Sequence, residues 1–440
     1  MDPRVVERVA RGTRPTIHDV IAKAAIVAAV AALAVFLIVT RDRASGGGSG
    51  SALPWTVLGV ASAAYALFVA YHAIAHKPIA MPRGAKLPTL TVIVPAFNEG
   101  PMVQTALLSA LAADYPRDRL EILAVDDGST DDTWSYIEAV AAAFPDRVTA
   151  VRMPRNGGKR EALREGFLRA RGEIVVTVDS DSRLAKGALR EIAAPLVADE
   201  RVAAVAGKVM VLNRYESVLT RFLTARFFVT FDLGRAVQSR FGAVLCCPGA
   251  LTAYRRSAVL EVLDRWSTQT FFGAPCTIGE DRALTSWLLR GGHRTVYQPS
   301  AIVETLVPPG LRGVTKMLLR WERGNVRESL VMLPTLLRSW RKEDRLWPTL
   351  EILVDTIQYP LIVVMFALAV RHFVAAPLDL VRAVAVVAIV GLAQSLYSLR
   401  TERSTDFVYN VGYAIFAFLG LQWILPYSFL TMHDGRWLTR

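Results

Sequence analysis

Glu173-Ile174-Val175-Val176-Thr177-Val178 runs directly into Asp179-Ser180-Asp181. The first six residues have almost no polar face, as expected of a strand buried on both sides. The last three put two carboxylates, one residue apart, at that strand's carboxyl end. Working outward, Leu90-Thr91-Val92-Ile93-Val94, Leu120–Val125 and Val148–Met153 repeat the pattern of short β-branched runs. Between them, Met102–Ala113, Thr133–Ala143 and Glu161–Arg171 have helical periodicity. Buried strands alternating with helices predict an α/β domain on an open parallel sheet, with ligands bound beyond the carboxyl ends of the strands. Asp126-Asp127 lie at a second such end. One carboxylate pair there could serve only as a helix N-cap. Two pairs, each followed by a helix, point to a site.

Outside this domain the chain changes character. Of its 440 residues 52% are hydrophobic, but they are segregated: 21–40, 53–75, 347–370, 380–399 and 407–429 are nearly continuous apolar runs. About 20 such residues span a bilayer. The expected organisation is two transmembrane helices in 1–81, a cytoplasmic domain at 82–325 and an amphipathic interface helix at 326–346. Two more crossings follow in 347–399, then an interfacial or re-entrant segment and cytoplasmic tail in 400–440. Arg4 to Lys23 should stay cytoplasmic. A signal peptide over 1–45 is the alternative, disfavoured because no clear small-residue cleavage site precedes the second apolar run. The expected location is therefore the cell membrane, as a multi-pass protein with the lipid bilayer as partner.

The net charge of +12 would suit nucleic acid, anionic lipid or phosphorylated ligands. Many arginines flank the apolar runs and explain part of the excess, so no nucleic-acid partner is expected. No obligate protein partner is evident. Cys246, Cys247 and Cys276 offer neither metal spacing nor an even disulfide framework. They read as small buried residues of a reducing compartment.

The candidate chemistry gathers at several places along the chain. Asp127 is placed to accept hydrogen bonds from a uracil or ribose. Asp179 and Asp181 can divide between ribose and a divalent cation, since Mg²⁺ and Mn²⁺ need only one or two carboxylates beside substrate phosphates. Gly157-Gly158-Lys159-Arg160 lacks Walker spacing; it delivers Lys159 and Arg160 to a diphosphate or base, or is simply a solvated helix start. Gly279-Glu280-Asp281-Arg282 precedes the helical pattern Arg282–Leu289, and a carboxylate there could take a proton from an acceptor hydroxyl. Downstream, Arg320 suits a diphosphate and Trp321 a sugar ring, though both residue types also favour the headgroup zone. Glu351 and Asp355, four apart at the start of the third apolar run, read either as headgroup-exposed or as the polar wall of an exit path.

The order of these motifs resembles the membrane-bound, family 2 processive glycosyltransferases, and among them the nodulation-factor chitooligosaccharide synthases and hyaluronan synthases. Gln238–Cys247, Tyr254–Ala258, Gly279–Thr285, Arg294–Tyr297 and Arg436–Arg440 carry the match, which covers about 88–330 plus the tail. The resemblance implies a GT-A (Rossmann-like) fold, a UDP-sugar donor, a growing glycan acceptor and Mg²⁺ or Mn²⁺. It assigns Asp127 to the nucleoside, Asp179 and Asp181 to nucleotide and metal, and Asp281 to the general base. Lys159, Arg160, Arg320, Trp437 and Arg440 fall on the donor side, with Trp437 and Arg440 in a loop that closes over bound nucleotide. Trp321, Cys247 and Gly249 fall beside the acceptor. Met317 stands where the family has glutamine, Leu438 where it has glycine, and Pro248-Gly249-Ala250 where its pattern ends Gly-Pro.

The implied activity is an inverting, processive β-glycosyltransferase polymerising N-acetylglucosamine from UDP-GlcNAc, with passage of the product through the membrane. A hyaluronan synthase using UDP-glucuronate as well, or another β-glycan synthase, is the alternative. A single-transfer lipid glycosyltransferase and a non-catalytic binder complete the alternatives.

Overall fold

A computed structural model describes residues 68–435, apart from 70, 337–339, 342–344, 403–405 and 407. The expected crossing at 21–40, most of that at 53–75, part of the expected interface helix at 326–346, and Trp437 and Arg440 lie outside the described residues.

The strand β1 (Leu90–Ala96) is buried at every position. It is followed by α1 (Met102–Leu111), β2 (Leu120–Asp126), α2 (Thr133–Ala143), β3 (Val148–Arg152), α3 (Lys159–Arg169) and β4 (Ile174–Thr177). β1 pairs in parallel with β2 and β4, and β2 with β3. These elements fall where the apolar periodicity puts them. Helices pack on both faces: Ile93 and Val92 are each fully buried, Ile93 in the cluster under α3 and Val92 in the cluster under α1. Full burial of such a side chain contributes roughly 1.5–3 kcal/mol.

Beyond β4 the expectation of a wholly parallel sheet is corrected. The chain adds β5 (Ser182–Leu184), α4 (Ala188–Ala198), β6 (Val202–Val211), α5 (Val218–Phe227), α6 (Gly234–Arg240) and β7 (Thr252–Arg255). After α7 (Arg256–Ser267), the short strands β8 (Thr270–Phe271) and β9 (Ala274–Pro275) and α8 (Glu280–Arg290) comes β10 (Arg294–Thr305). The sheet order is β3-β2-β1-β4-β7-β6-β10-β5. β7 runs antiparallel to both β4 and β6, and β5 antiparallel to β10. The physical reason lies in the excursion through α5 and α6. It leaves the sheet at the carboxyl end of β6 and re-enters there, so the next strand must run the other way.

The rest of the described chain is helical. α9 (Leu311–Leu336) is one continuous 26-residue helix, so the expected domain boundary near 325 falls inside it. Arg327, Glu328 and Ser329 on α9 are 3%, 0% and 1% exposed. Arg341 is likewise buried and donates to the carbonyls of Phe241 and Gly242. Arg327 and Arg341 therefore serve the protein interior rather than an interface. α10 (Leu346–Ala375) has 30 residues and a mean hydropathy of 2.0 in its most apolar window, of which only 17% is buried. α11 (Pro377–Glu402) leads back to α12 (Val408–Phe416) and α13 (Ile424–Leu430), the two ends of a segment bent by 45°. Among the described residues, α10 and at most this bent pair are long and apolar enough to cross a bilayer.

Candidate active site

The carboxyl ends of β1, β2 and β4 open onto a cavity of about 1370 Å³. This exceeds the roughly 300–1,000 Å³ that holds one drug-sized ligand, leaving room for two reactants. Asp127, Asp179 and Asp181 line it from the strand ends; Glu280, Asp281, Arg320 and Trp321 line it from α8 and α9.

Asp127, one residue past β2, is 2% exposed and accepts a 2.7 Å hydrogen bond from the Gly157 amide. Burial pushes its carboxyl above the ordinary value, opposed by the amides of Gly157 and Gly158. Its neighbour Asp126 is spent on structure, accepting from the Ser129 amide. The glycine turn therefore holds Asp127 with one amide and launches α3 with the next residues. Lys159 and Arg160 then part. Lys159 Nζ enters the site, 2.5 Å from Asp179 and 3.2 Å from Glu280. Arg160 is 5% exposed; its guanidinium lies over the Trp266 ring and donates to the Trp266 carbonyl. Trp266 in turn donates its indole N–H to the Glu280 carbonyl, so Arg160 backs the wall behind the acidic pair.

Asp181 accepts a 3.2 Å hydrogen bond from Thr305. Its hard oxygens and those of Asp179 fit Mg²⁺ or Mn²⁺. The described residues contain no cluster of three metal-ligating side chains, so phosphate oxygens and water must complete any shell.

Glu280 and Asp281 open α8 behind Gly279, which has φ +69°. A Cβ on Gly279 would come within 3.1 Å of the Gly324 backbone; two glycines thus let α9 pass directly under the acidic pair. Asp281 Oδ1 accepts from its own Arg282 amide at 2.7 Å and Oδ2 from the Gly249 amide at 3.3 Å. Burial and then the charge of Glu280 push the Asp281 carboxyl above its ordinary value. Burial would raise Glu280 as well, but Lys159 and Arg320 outweigh it and hold that carboxyl low. Adjacent acids driven apart in this way are suited to different roles, one a standing anion and the other a proton acceptor.

Gly249 lines the cavity for a steric reason: a Cβ there would meet Lys159 Nζ at 2.6 Å and Asp179 at 3.1 Å. Trp321 packs by Phe227 and Phe231 and lines the cavity. Cys247 is not brought to the cavity. It is fully buried, its amide donating to Thr285, and Cys246 faces the opening instead. Met317, at the position of the expected glutamine, is 5% exposed and belongs to the core while touching the cavity edge.

Several lining residues escaped the sequence reading. Asn98 and Glu99 follow β1, and Glu99 accepts from Ser180 inside the D-x-D segment. Applying the strand-end rule to β1 as well as to β2 and β4 would have found them. Gln358 and Tyr359 line it too, and no local pattern links them to the strands; Gln238, from the matched stretch, and Asp355, read above as headgroup-exposed or as a polar wall, line the same cavity.

A Rossmann-like sheet that opens a D-x-D segment, a buried strand-end aspartate and a helix-borne acid pair onto one cavity defines a nucleotide-sugar glycosyltransferase. Residues 88–324 match the family described as "Glycosyltransferase like family 2", and the chain belongs to it. An N-acetylglucosaminyltransferase of Rhizobium meliloti is 33% identical over 375 residues, 84% of each chain. That of Azorhizobium caulinodans is 32% identical over 353 residues, 80% of this chain and 87% of the relative. Among solved structures, a mannosyltransferase from Pyrobaculum calidifontis, in complex with GDP-Man and Mn²⁺, has a TM-score of 0.53 at 23% identity. The match covers 82% of this chain and 97% of that one. The shared architecture is GT-A-like, with a mixed sheet.

Proposed function

We propose that the protein is an inverting, processive β-glycosyltransferase that polymerises N-acetylglucosamine from UDP-GlcNAc and passes the product into the membrane. One observation carries the reading: a single cavity is lined both by strand-end aspartates and by Asp355, Gln358 and Tyr359 of the apolar helix α10. The N-acetylglucosaminyltransferases among its relatives support the choice of sugar.

In this mechanism Asp127 holds the nucleoside and Lys159, with Arg320, faces the diphosphate. Asp179 and Asp181 would bind Mg²⁺ or Mn²⁺, which offsets charge on the departing diphosphate. Asp281 takes the proton from the acceptor hydroxyl as its oxygen attacks the anomeric carbon. The new C–O bond forms opposite the bond to UDP, which breaks, so configuration inverts. Trp321 supplies a flat face for the acceptor ring.

The membrane half of the proposal rests on α10 and the bent pair. Thirty helical residues extend about 45 Å, more than the roughly 30 Å hydrocarbon core. The 45° bend near 422–423 divides the last apolar run into two short helices, a geometry shared by broken spans and re-entrant segments; the course of the following residues favours the second. The chain then reaches the cavity at Gly435, whose carbonyl accepts from Thr277, while Asp434 pairs with Arg323 at 2.9 Å. That path supports a donor-side role for Trp437 and Arg440 and a cytoplasmic tail.

The test is direct. Purified protein is given each labelled UDP-sugar, singly and in pairs, and the product is digested with chitinase or hyaluronidase. Chitinase-sensitive polymer from UDP-GlcNAc alone is expected; a strict need for UDP-glucuronate overturns the choice of product. A cysteine added at the C-terminus that labels only from outside intact cells would overturn the topology.

A further inference from the structure

Both oxygens of Asp281 are fixed by backbone amides, and both amides trace back to one face of α10. The first line is short. The Arg282 amide donates to Oδ1, and the Arg282 guanidinium donates to Asp355 Oδ2 at 2.7 Å and to Ser329 Oγ at 3.0 Å. Asp355 is itself held at its other oxygen by Gln358, 2.9 Å away. The second line runs through the loop before β7. The Gly249 amide donates to Oδ2; four residues earlier, the Leu245 amide donates to Gln238 Oε1. Gln238 Nε2 then donates to Glu351 Oε1 at 2.7 Å. Glu351 and Asp355 are four apart, one turn of the same helix face.

We infer that Glu351 and Asp355 are positioning residues for the proton acceptor, orienting Asp281 through Gln238 and Arg282 respectively. The inference rests on the reading of Asp281 as general base. The rest of α8 has its own anchor, since Ala283, Leu284 and Leu288 are buried in the core. What α10 adds is the placement of the helix's first turn, where the carboxylate sits. Arg282 is 8% exposed, and an interior cation that loses its partner must move or be rehydrated. Either response shifts the amide on which Oδ1 depends. Base geometry therefore depends on the seat of α10 against the catalytic domain.

The experiment compares Asp355→Asn and Glu351→Gln, which keep shape and remove charge, with Asp281→Asn, in the full chain. A reactive group displaced by about 1 Å loses on the order of a hundredfold in rate. The expectation for Asp355→Asn is a fall of about ten- to a hundredfold in kcat, with the KM for donor and the affinity for UDP unchanged. Glu351→Gln should act in the same direction by less, and Asp355→Glu should recover part of the rate. The deciding readout is the same substitution made in the Asp281→Asn background. A residue acting through Asp281 causes no further loss of the residual transfer there, whereas a general structural defect repeats its full factor. Wild-type kcat in Asp355→Asn, or equal losses in both backgrounds, overturns the inference. If Asp355→Asn fails to fold, Glu351→Gln decides by the same cycle, through its separate line. Undiminished transfer by Asp281→Asn would instead sink the assignment of the base.

Discussion

The two walls of the cavity are built on different principles. On the donor side, Asp127, Asp179 and Asp181 are delivered by strand ends, and the partners of the first two, Gly157 and Lys159, come from the strand-to-helix turn into α3, while Asp181 alone reaches further, to Thr305. On the acceptor side, Glu280 and Asp281 open a helix whose surroundings come from α7, α9 and α10. There, buried charge holds elements together that are far apart in sequence: Arg327 donates to the Ile278 carbonyl and lies 3.4 Å from Glu328, which is itself held by Gln269. A strand end presents a side chain by periodicity; the acceptor wall presents one by long-range pairing. The first should tolerate change locally, and the second should fail as a unit.

The largest expected effect tests the chemistry of the acceptor wall. Asp281→Asn keeps the size of the side chain and removes its basicity. Transfer should fall by about 10²–10⁴, the usual contribution of a positioned general base, while UDP binding, which draws on the donor wall, persists. Calorimetric titration with UDP beside a radiolabel transfer assay separates the two. Loss of both together would break the division between the walls.

Next comes stability. Glu328 is fully buried, so Arg327→Met leaves its charge short of a partner, an arrangement that typically costs 3–5 kcal/mol. A loss of that size in unfolding free energy from denaturant titration, absent from the donor-wall variant Asp127→Asn, would sharpen the contrast. Equal losses would erase it.

A smaller effect is expected where the walls meet. Gly249→Ala puts a methyl group 2.6 Å from Lys159 Nζ, forcing the ammonium from its seat between Asp179 and Glu280. A rise of about tenfold in the donor KM, on the order of 1.4 kcal/mol, is the expected outcome in steady-state kinetics.

The same contrast explains what was legible in the sequence. β1 to β4 and the helices between them follow from apolar periodicity because a doubly buried strand needs no distant information. Asp127, Asp179 and Asp181 came with them. The antiparallel β7 did not, because Thr252–Arg255 looks like any short strand and its direction is set by where a forty-residue excursion returns. Lys159 and Arg160 are adjacent and equally basic in sequence, yet only packing against Trp266 separates their fates. Asp281 was legible as an acid before a helix, but its ties to Gly249 and, through Arg282, to Asp355 are contacts across 32 and 73 residues. Periodicity carries no record of such distances.

The smallest effect concerns Glu280, the anion beside the base. Its charge, after burial, helps push the Asp281 carboxyl above the ordinary value. Asp281 must be ionised to accept a proton, so that raised value sets the acid limb of the rate profile. Glu280→Gln removes the like charge and leaves the Lys159 ammonium, now pairing with Asp179 alone, to favour ionised Asp281 more strongly. Both changes lower the value for Asp281, so the acid limb of kcat should move to lower pH. A lower value also makes a weaker base, so the plateau rate should fall modestly. The profile of kcat against pH, measured at saturating donor, checks both signs at once. An acid limb that moves to higher pH would mean that Glu280 acts mainly by holding Lys159 in place, and the division of labour between the two acids would have to be redrawn.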